Sequence, residues 1–154
     1  MRPGVAESEV GDVGTPRRCM SFAVAGAEFA LDLGCVREIV QWAGATRLPN
    51  VPAYVRGVIN LRGIIVPIYD LGARFGHGAA QPTETHVVII TAIESRLAGL
   101  LVDGVSDLID VLPGSIQAIP EIDRQPGEQF LSGLVEAGGR MVALIDLERL
   151  LADS

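Results

Sequence analysis

Aromatic residues are scarce in this chain, 5% of 154 positions, although apolar residues make up 49% and mean hydropathy is +0.37. A sizeable core is therefore expected, filled by Val, Ile, Leu and Ala rather than by rings. The length suits one ordinary domain or two small units sharing a core. Cysteine is equally sparse. Cys19 and Cys35 are too few for a disulfide scaffold or a four-ligand metal site, and read as small buried hydrophobes in a reducing cytoplasm. His77 lies in a Gly-rich loop and His86 at a strand entrance, and there is no third histidine. Neither sits in an HExxH or similar helical spacing with a carboxylate, GxSxG is absent, and no Cys–His arrangement can be assembled. The phosphate-cradling patterns GxxxxGKS/T and GxGxxG are missing too, so the 18 glycines are assigned to tight β turns. No catalytic residue, metal or cofactor is expected. A net charge of −7 argues against the clustered cations of a nucleic-acid footprint. No apolar run approaches the length of a membrane span, and the first 18 residues hold no hydrophobic signal segment.

What is present is organised around Tyr54–Leu71, YVRGVINLRGIIVPIYDL. Val and Ile favour strands because a branched Cβ fits a pleated, half-buried surface. Gly57 and Gly63 punctuate the run, and Asn60 tolerates turn geometry. The stretch reads as strand, tight corner, strand, with Asn60 and Arg62 at an exposed bend between two buried segments. A second stretch, Phe130–Leu147, matches it without gaps at a constant offset of 76 positions (54 against 130, 71 against 147). Gly57 then faces Gly133, Gly63 faces Gly139, and Asp70–Leu71 face Asp146–Leu147. Upstream, Leu33–Ile39 resembles Val102–Leu108 at an offset of 69 positions. Two copies of one small β unit are inferred.

Residues 1–17 mix Gly, Pro and acidic residues without period and read as a flexible tail. Met20–Phe22–Val24 alternates in the strand manner, and with Phe29–Leu31 it flanks a Gly-containing turn and forms a hairpin. Val36–Val40 is a strand or a short helical turn. The paired prolines of Leu48–Pro52 make an extended connector. Gly76–Thr85 is an internal linker, Val87–Ile90 a strand buried on both faces with Leu97–Val102 as its hairpin partner, and Pro120–Gln129 a polar loop. Asp70 and Asp146 each precede a short Leu-containing segment, where helix capping explains them better than acid–base chemistry. Asp103 opens an Asp–Gly turn. Glu38 and Arg62 are charges in apolar strand contexts. They form either a rim salt bridge or the edge of an apolar groove for a partner. Trp42 is a core plug or an exposed anchor.

These residues resemble a known family. Val36–x–Glu38–Ile39, Leu48–Pro49–x–x–Pro52–x–Tyr54–Val55–x–Gly57–Val58–Ile59–Asn60–Leu61–Arg62–Gly63 and Pro67–Ile68–x–Asp70–Leu71 closely resemble the CheW-like domain of bacterial and archaeal chemotaxis. Gly99–Asp103, Leu131–x–Gly133 and Leu144–x–Asp146–Leu147 add to the match. The resemblance implies an all-β fold with short helices: two five-stranded SH3-like β-barrels packed around a shared hydrophobic core, over residues 18–152. It implies a non-enzymatic adaptor, without cofactor, that connects the cytoplasmic tip of methyl-accepting chemoreceptors to the regulatory domain of the chemotaxis histidine kinase. The expected location is cytoplasmic, at membrane-associated receptor arrays, with no nucleic acid bound and no direct membrane insertion. Receptor binding is implied for Val36, Glu38, Ile39, Asn60, Leu61 and Arg62, with Val105 and Leu108 across the groove. Kinase binding is implied at the barrel ends near Gly57, Gly99 and Gly133, glycines for which a purely structural role competes. Tyr69, Gly72–Ala73 and His86 depart from the family pattern. They leave open a paralogous pathway such as pilus-based motility or biofilm signalling.

Overall fold

The computed structural model describes residues 15–120 and 127–152. The expected tail, up to residue 14, and most of the polar loop after Pro120 lie outside the described residues. The strands are β1 (Arg17–Val24), β2 (Ala27–Asp32), β3 (Val36–Gln41), β4 (Val55–Leu61), β5 (Ile64–Asp70), β6 (Val87–Ile93), β7 (Arg96–Val102), β8 (Gly104–Val111), β9 (Leu131–Ala137) and β10 (Arg140–Ile145). Two short helices follow β5 and β10: α1 (Leu71–Arg74) and α2 (Leu147–Ala152).

The strands form two five-stranded sheets, ordered β3-β6-β7-β5-β4 and β9-β10-β2-β1-β8. Both have the same plan. Replacing β3, β4, β5, β6 and β7 by β8, β9, β10, β1 and β2 converts the first order into the second. The duplication is therefore real in three dimensions, but each copy lends its first hairpin to the other copy's sheet. Hairpin β1–β2 leaves its own successors β3–β5 and pairs with β8 and β10. Hairpin β6–β7 pairs in return with β3 and β5. The pairing registers agree with both offsets. Ile68 lies opposite Gly99 in the parallel pair β5–β7, as Leu144 lies opposite Ala30 in the parallel pair β10–β2.

Each sheet curls into an SH3-like barrel whose ladder does not run unbroken round its circumference. The edges of the first meet at one bridge, where Thr46 and Val58 exchange backbone hydrogen bonds of 2.8 and 2.9 Å. The edges of the second meet between Gln117 and Leu134, with both bonds at 2.8 Å.

Three apolar clusters hold the molecule together. Val66, Ile68, Val88, Ile90 and Leu101 fill the first barrel, and Cys19, Ala30, Val111, Val135, Val142 and Leu144 fill the second. A larger cluster, shared between them, gathers Phe22, Phe29 and Leu31 with Leu71, Phe75, Ile89 and Leu100, and with Phe130, Leu150 and Leu151. Aliphatic side chains supply most of this interior, but the few rings concentrate in the shared cluster.

Two sequence expectations change. Cys19–Phe22 of β1 are all buried, not alternately so, because the strand is central in its sheet and covered by the shared cluster on its second face. Ile64 and Ile65, expected in a buried segment, are 52% and 60% exposed. They lie at the tip of the β4–β5 hairpin, opposite Leu61 and Asn60, where the barrel wall has run out.

Candidate partner-docking surface

Strand β3 alternates half-buried Val36, Glu38 and Val40 with exposed Arg37, Ile39 and Gln41. Its pairing with β6, Glu38 opposite Ile90 and Ile39 opposite Ile89, settles the sequence ambiguity in favour of a strand. The β4–β5 corner is built locally. The Asn60 Oδ1 accepts from the Gly63 N–H at 2.8 Å, and Arg62 and Gly63 both have positive φ (51° and 89°). Asn closes such turns with its own side chain, and glycine supplies the left-handed residue without a Cβ penalty.

This corner sends the Arg62 side chain outward, where its Nη2 donates to the Glu38 Oε2. The guanidinium side chain is 72% exposed and the carboxylate 30%. So placed, the pair contributes only about 0.2–1 kcal/mol to folding. Ile39, Ile64 and Ile65, on the same strands and corner, are also exposed, Ile39 on the face of β3 opposite to Glu38 and Ile64 and Ile65 at the hairpin tip. Apolar surface around an Arg is the composition of an interface core.

Val105 and Leu108, the second half of the expected receptor site, are 39% and 50% exposed on β8. That strand pairs with β1 in the other sheet, and among the described residues it makes no extensive contact with β3, β4 or β5. The ion pair thus unites Val36, Glu38, Ile39, Asn60, Leu61 and Arg62. Val105 and Leu108 form a separate patch, which Leu112 extends.

Between the sheets lies a groove of about 410 Å³, walled by Leu31, Asp32 and Ile145 from one barrel and Ala92 and Ile93 from the other. Cys35, next to Val36, lines it, and the Arg17–Asp32 ion pair (3.1 Å) stands at its edge.

A CheW-like domain model matches residues 18–154. The chain belongs to the CheW-like domain family. This CheW-like chain is 45% identical over 132 residues to the chemotaxis protein CheW of Rhizobium meliloti, covering 86% of this chain and 85% of that protein. It is 43% identical over 138 residues to a probable chemotaxis protein CheW of Rhizobium etli, covering 90% and 89%. The crystal structure of the scaffolding protein TtCheW from Thermoanaerobacter tengcongensis superposes with a TM-score of 0.77 at 32% identity, covering 85% of this chain and 89% of that one. The all-β, two-barrel expectation agrees with this neighbour.

The three glycines implied in kinase binding of a CheW-like chain, Gly57, Gly99 and Gly133, are all buried. A Cβ on Gly99 would come within 2.6 Å of the Ile68 Cδ1 and 2.7 Å of the Val88 Cγ1. Gly57 and Gly133 sit on the two closing bridges, against Thr46 and Gln117. All three are packing positions at which a side chain would displace a neighbour.

Other residues resolve as structural. Asp70 and Asp146 cap α1 and α2, accepting from the N–H of Ala73 (3.1 Å) and of Arg149 (3.2 Å). The Asp103 carboxylate accepts from the Ala25 N–H at 3.0 Å and lies 3.3 Å from the His86 Nε2. Trp42 is half-buried against the first barrel's core, with the Arg56 guanidinium 5.7 Å from its ring centroid, and is neither a buried plug nor a fully exposed anchor. Among the described residues no group of three or more His, Cys, Asp and Glu side chains could hold a metal, and no helix is long and apolar enough to cross a membrane. Sequence reasoning missed the exposure of Ile64 and Ile65. Their place beside the Gly63 corner was the available signal.

Burial is the first cause raising both thiol pKa values, followed by the Asp32 carboxylate. A thiol with a raised folded-state pKa binds its proton more tightly than in the unfolded chain. Its contribution to stability is therefore complete below the unfolded value of about 8.5 and fades as pH rises through it. Denaturation midpoints are expected to fall above this pH, and less steeply in Cys19→Ala and Cys35→Ala variants. Identical alkaline slopes in all three proteins would remove the thiols as the cause.

Proposed function

We propose that this chain is a chemotaxis coupling adaptor. One surface holds the cytoplasmic tip of a methyl-accepting receptor, and the barrel ends engage the regulatory domain of the chemotaxis histidine kinase, at cytoplasmic, membrane-associated arrays. It acts by presenting shaped surface and performs no chemistry. The observation that carries this reading is the Glu38–Arg62 pair, which joins β3 to an exposed corner closed by Asn60 and Gly63, with exposed isoleucines on the same strands. A surface pair so weakly stabilising has little value to the fold, whereas covering it with a partner makes its geometry decisive for specificity. An amphipathic helix laid along this edge would find apolar contacts in half-buried Val36 and Leu61 and a charge check in Glu38 and Arg62, with Ile39 reached on the other face of β3. Val105 and Leu108, on the second barrel, would meet a partner as a second, separate contact. Gly57, Gly99 and Gly133 serve the kinase indirectly, by fixing the shape of the barrel walls.

Glu38→Arg and Arg62→Glu are each expected to weaken binding to a receptor cytoplasmic fragment by about tenfold or more, and the double swap to regain much of it. Denaturation midpoints should hardly move. Co-sedimentation with the receptor fragment and the kinase reads this directly. Single variants that bind like the parent would take the ion pair out of the site.

Of the departures from the family pattern, Tyr69 and Gly72 are buried, Ala73 is half-buried on α1 and His86 is tied to Asp103, so they add nothing in favour of the alternative, a CheW-like module of a paralogous pathway such as pilus-based motility.

A further inference from the structure

Helix α1 is a single turn, and its last residue, Arg74, stands where the two barrels meet. The guanidinium carbon lies 4.0 Å from the ring centroid of Tyr54 and 4.2 Å from that of Phe130. These rings hold matching positions in the two copies. The Tyr54 carbonyl accepts from the Asp70 N–H and the Phe130 carbonyl from the Asp146 N–H, at 2.7 Å in both cases. Tyr54 leads into β4 of the first barrel and Phe130 into β9 of the second. One cationic plate is thus stacked between two equivalent rings, one for each barrel. The position matching Arg74 in the second copy is Leu150, a fully buried apolar residue, so the device occurs once. Phe75 continues the stack. Its ring centroid lies 4.8 Å from that of Phe29, in the second barrel, and 6.3 Å from that of Phe130. Gly127, at φ 91°, packs against it so closely that a Cβ there would meet the Phe75 Cδ1 at 2.4 Å.

We propose that Arg74 is a positioning residue that sets the orientation of one barrel relative to the other, and through it the width of the groove at Leu31, Cys35 and Ile93. Aliphatic contacts across the shared cluster are non-directional and tolerate sliding. A planar guanidinium held face-on by two rings has a preferred orientation toward each. Lysine cannot substitute, because an ammonium is a point charge without a stacking plane. The effect on partner binding rests on the adaptor reading; the effect on barrel orientation does not.

The test uses the full chain in a Cys35→Ser background, where buried Cys19 stays unlabelled. Spin labels are placed at exposed Ser95, in the β6–β7 turn of the first barrel, and exposed Glu136, on β9 of the second. The parent is expected to give one narrow distance distribution. Arg74→Lys and Arg74→Leu are expected to broaden or shift it while both remain folded, and to weaken binding of the receptor fragment by about tenfold. Distributions superimposable on the parent's in both variants would overturn the proposal, whatever happens to the melting temperature. Should Arg74→Leu fail to fold, Arg74→Lys and Tyr54→Leu make the same comparison. A changed distribution with unchanged receptor affinity would overturn the link from barrel orientation to receptor binding. A parent that binds no receptor would instead overturn the adaptor reading, and the distance measurement would still decide on Arg74.

Discussion

Gly57→Ala is expected to cost about 4 kcal/mol or more, a large part of the stability of a domain this size. Two effects add. Gly57 has φ 140°, a region that side chains other than glycine enter at a cost of about 1–3 kcal/mol. A Cβ there would also lie 2.2 Å from the Thr46 O and 2.7 Å from the Thr46 C. Those are backbone atoms of the one residue that closes the first barrel, so no side-chain rotation relieves the clash. The equivalent change in the second barrel should be milder. A Cβ on Gly133 would meet first the Ile116 Cγ2, at 2.5 Å, which can rotate aside, and then the Gln117 O at 2.9 Å. Gly133→Ala is therefore expected to cost about 1–3 kcal/mol, the usual range for overpacking. Urea denaturation of the two variants side by side measures the difference. Equal midpoints would mean that Thr46 can move away freely and that the bridge does not hold the first barrel closed.

The second large effect is expected at Asp70. Its side chain is 1% exposed and carries more than a helix cap. The Oδ1 accepts from the Ala73 N–H, while the Oδ2 accepts from the Ala80 N–H at 2.8 Å and faces the Arg56 Nη1 at 3.5 Å. Arg56 also donates to the Ala80 carbonyl at 3.0 Å, so carboxylate and guanidinium together tie the loop after α1 to the barrel. Asp70→Ala strands a largely buried guanidinium and two N–H groups, and is expected to cost about 3–5 kcal/mol. The Asp146 side chain, in the matching position, is 30% exposed and among the described residues pairs with the Arg149 N–H and side chain of its own helix. Asp146→Ala is expected to cost about 1 kcal/mol, an ordinary cap loss. Thermal melts rank the two variants, and faster amide exchange at Ala80 in Asp70→Ala would locate the loss. Similar melting points would show that the loop attachment adds nothing beyond the cap.

Both comparisons set one residue against its counterpart in the other copy, and in both the first copy carries the greater load. The alignment at an offset of 76 identified the pairs but not the difference between them. Gly57 and Gly133 are the same letter in the same pattern. Their unequal surroundings come from Thr46 and Ile116–Gln117, which lie in connectors where the two copies no longer align. Asp70 and Asp146 are likewise interchangeable as caps, and only the folding back of Ala80 onto the first makes it a clamp.

Most of the docking face could be read from the chain. Asn60–Leu61–Arg62–Gly63 announces an exposed corner, and Glu38 is a charge in an apolar strand that needs a partner. Ile64 and Ile65 misled, because a run of β-branched residues marks a strand without saying which part of it extends past the covering layer.

The amino-acid order alone determined that this is a duplicated β protein of the CheW-like family, with a glycine-bearing corner in each copy, polar in the first, and carboxylate caps after each second strand. These are local properties, set by alternation, turn chemistry and repetition within a few residues. The exchange of hairpins between the copies, the stacking of Arg74 between Tyr54 and Phe130, and the separation of Val105 and Leu108 from the Glu38–Arg62 patch were decided only by the tertiary structure. All three depend on parallel pairings and packing between segments distant in sequence. Two copies with nearly the same strands carry no local instruction for choosing between a hairpin of their own and the equivalent one next door.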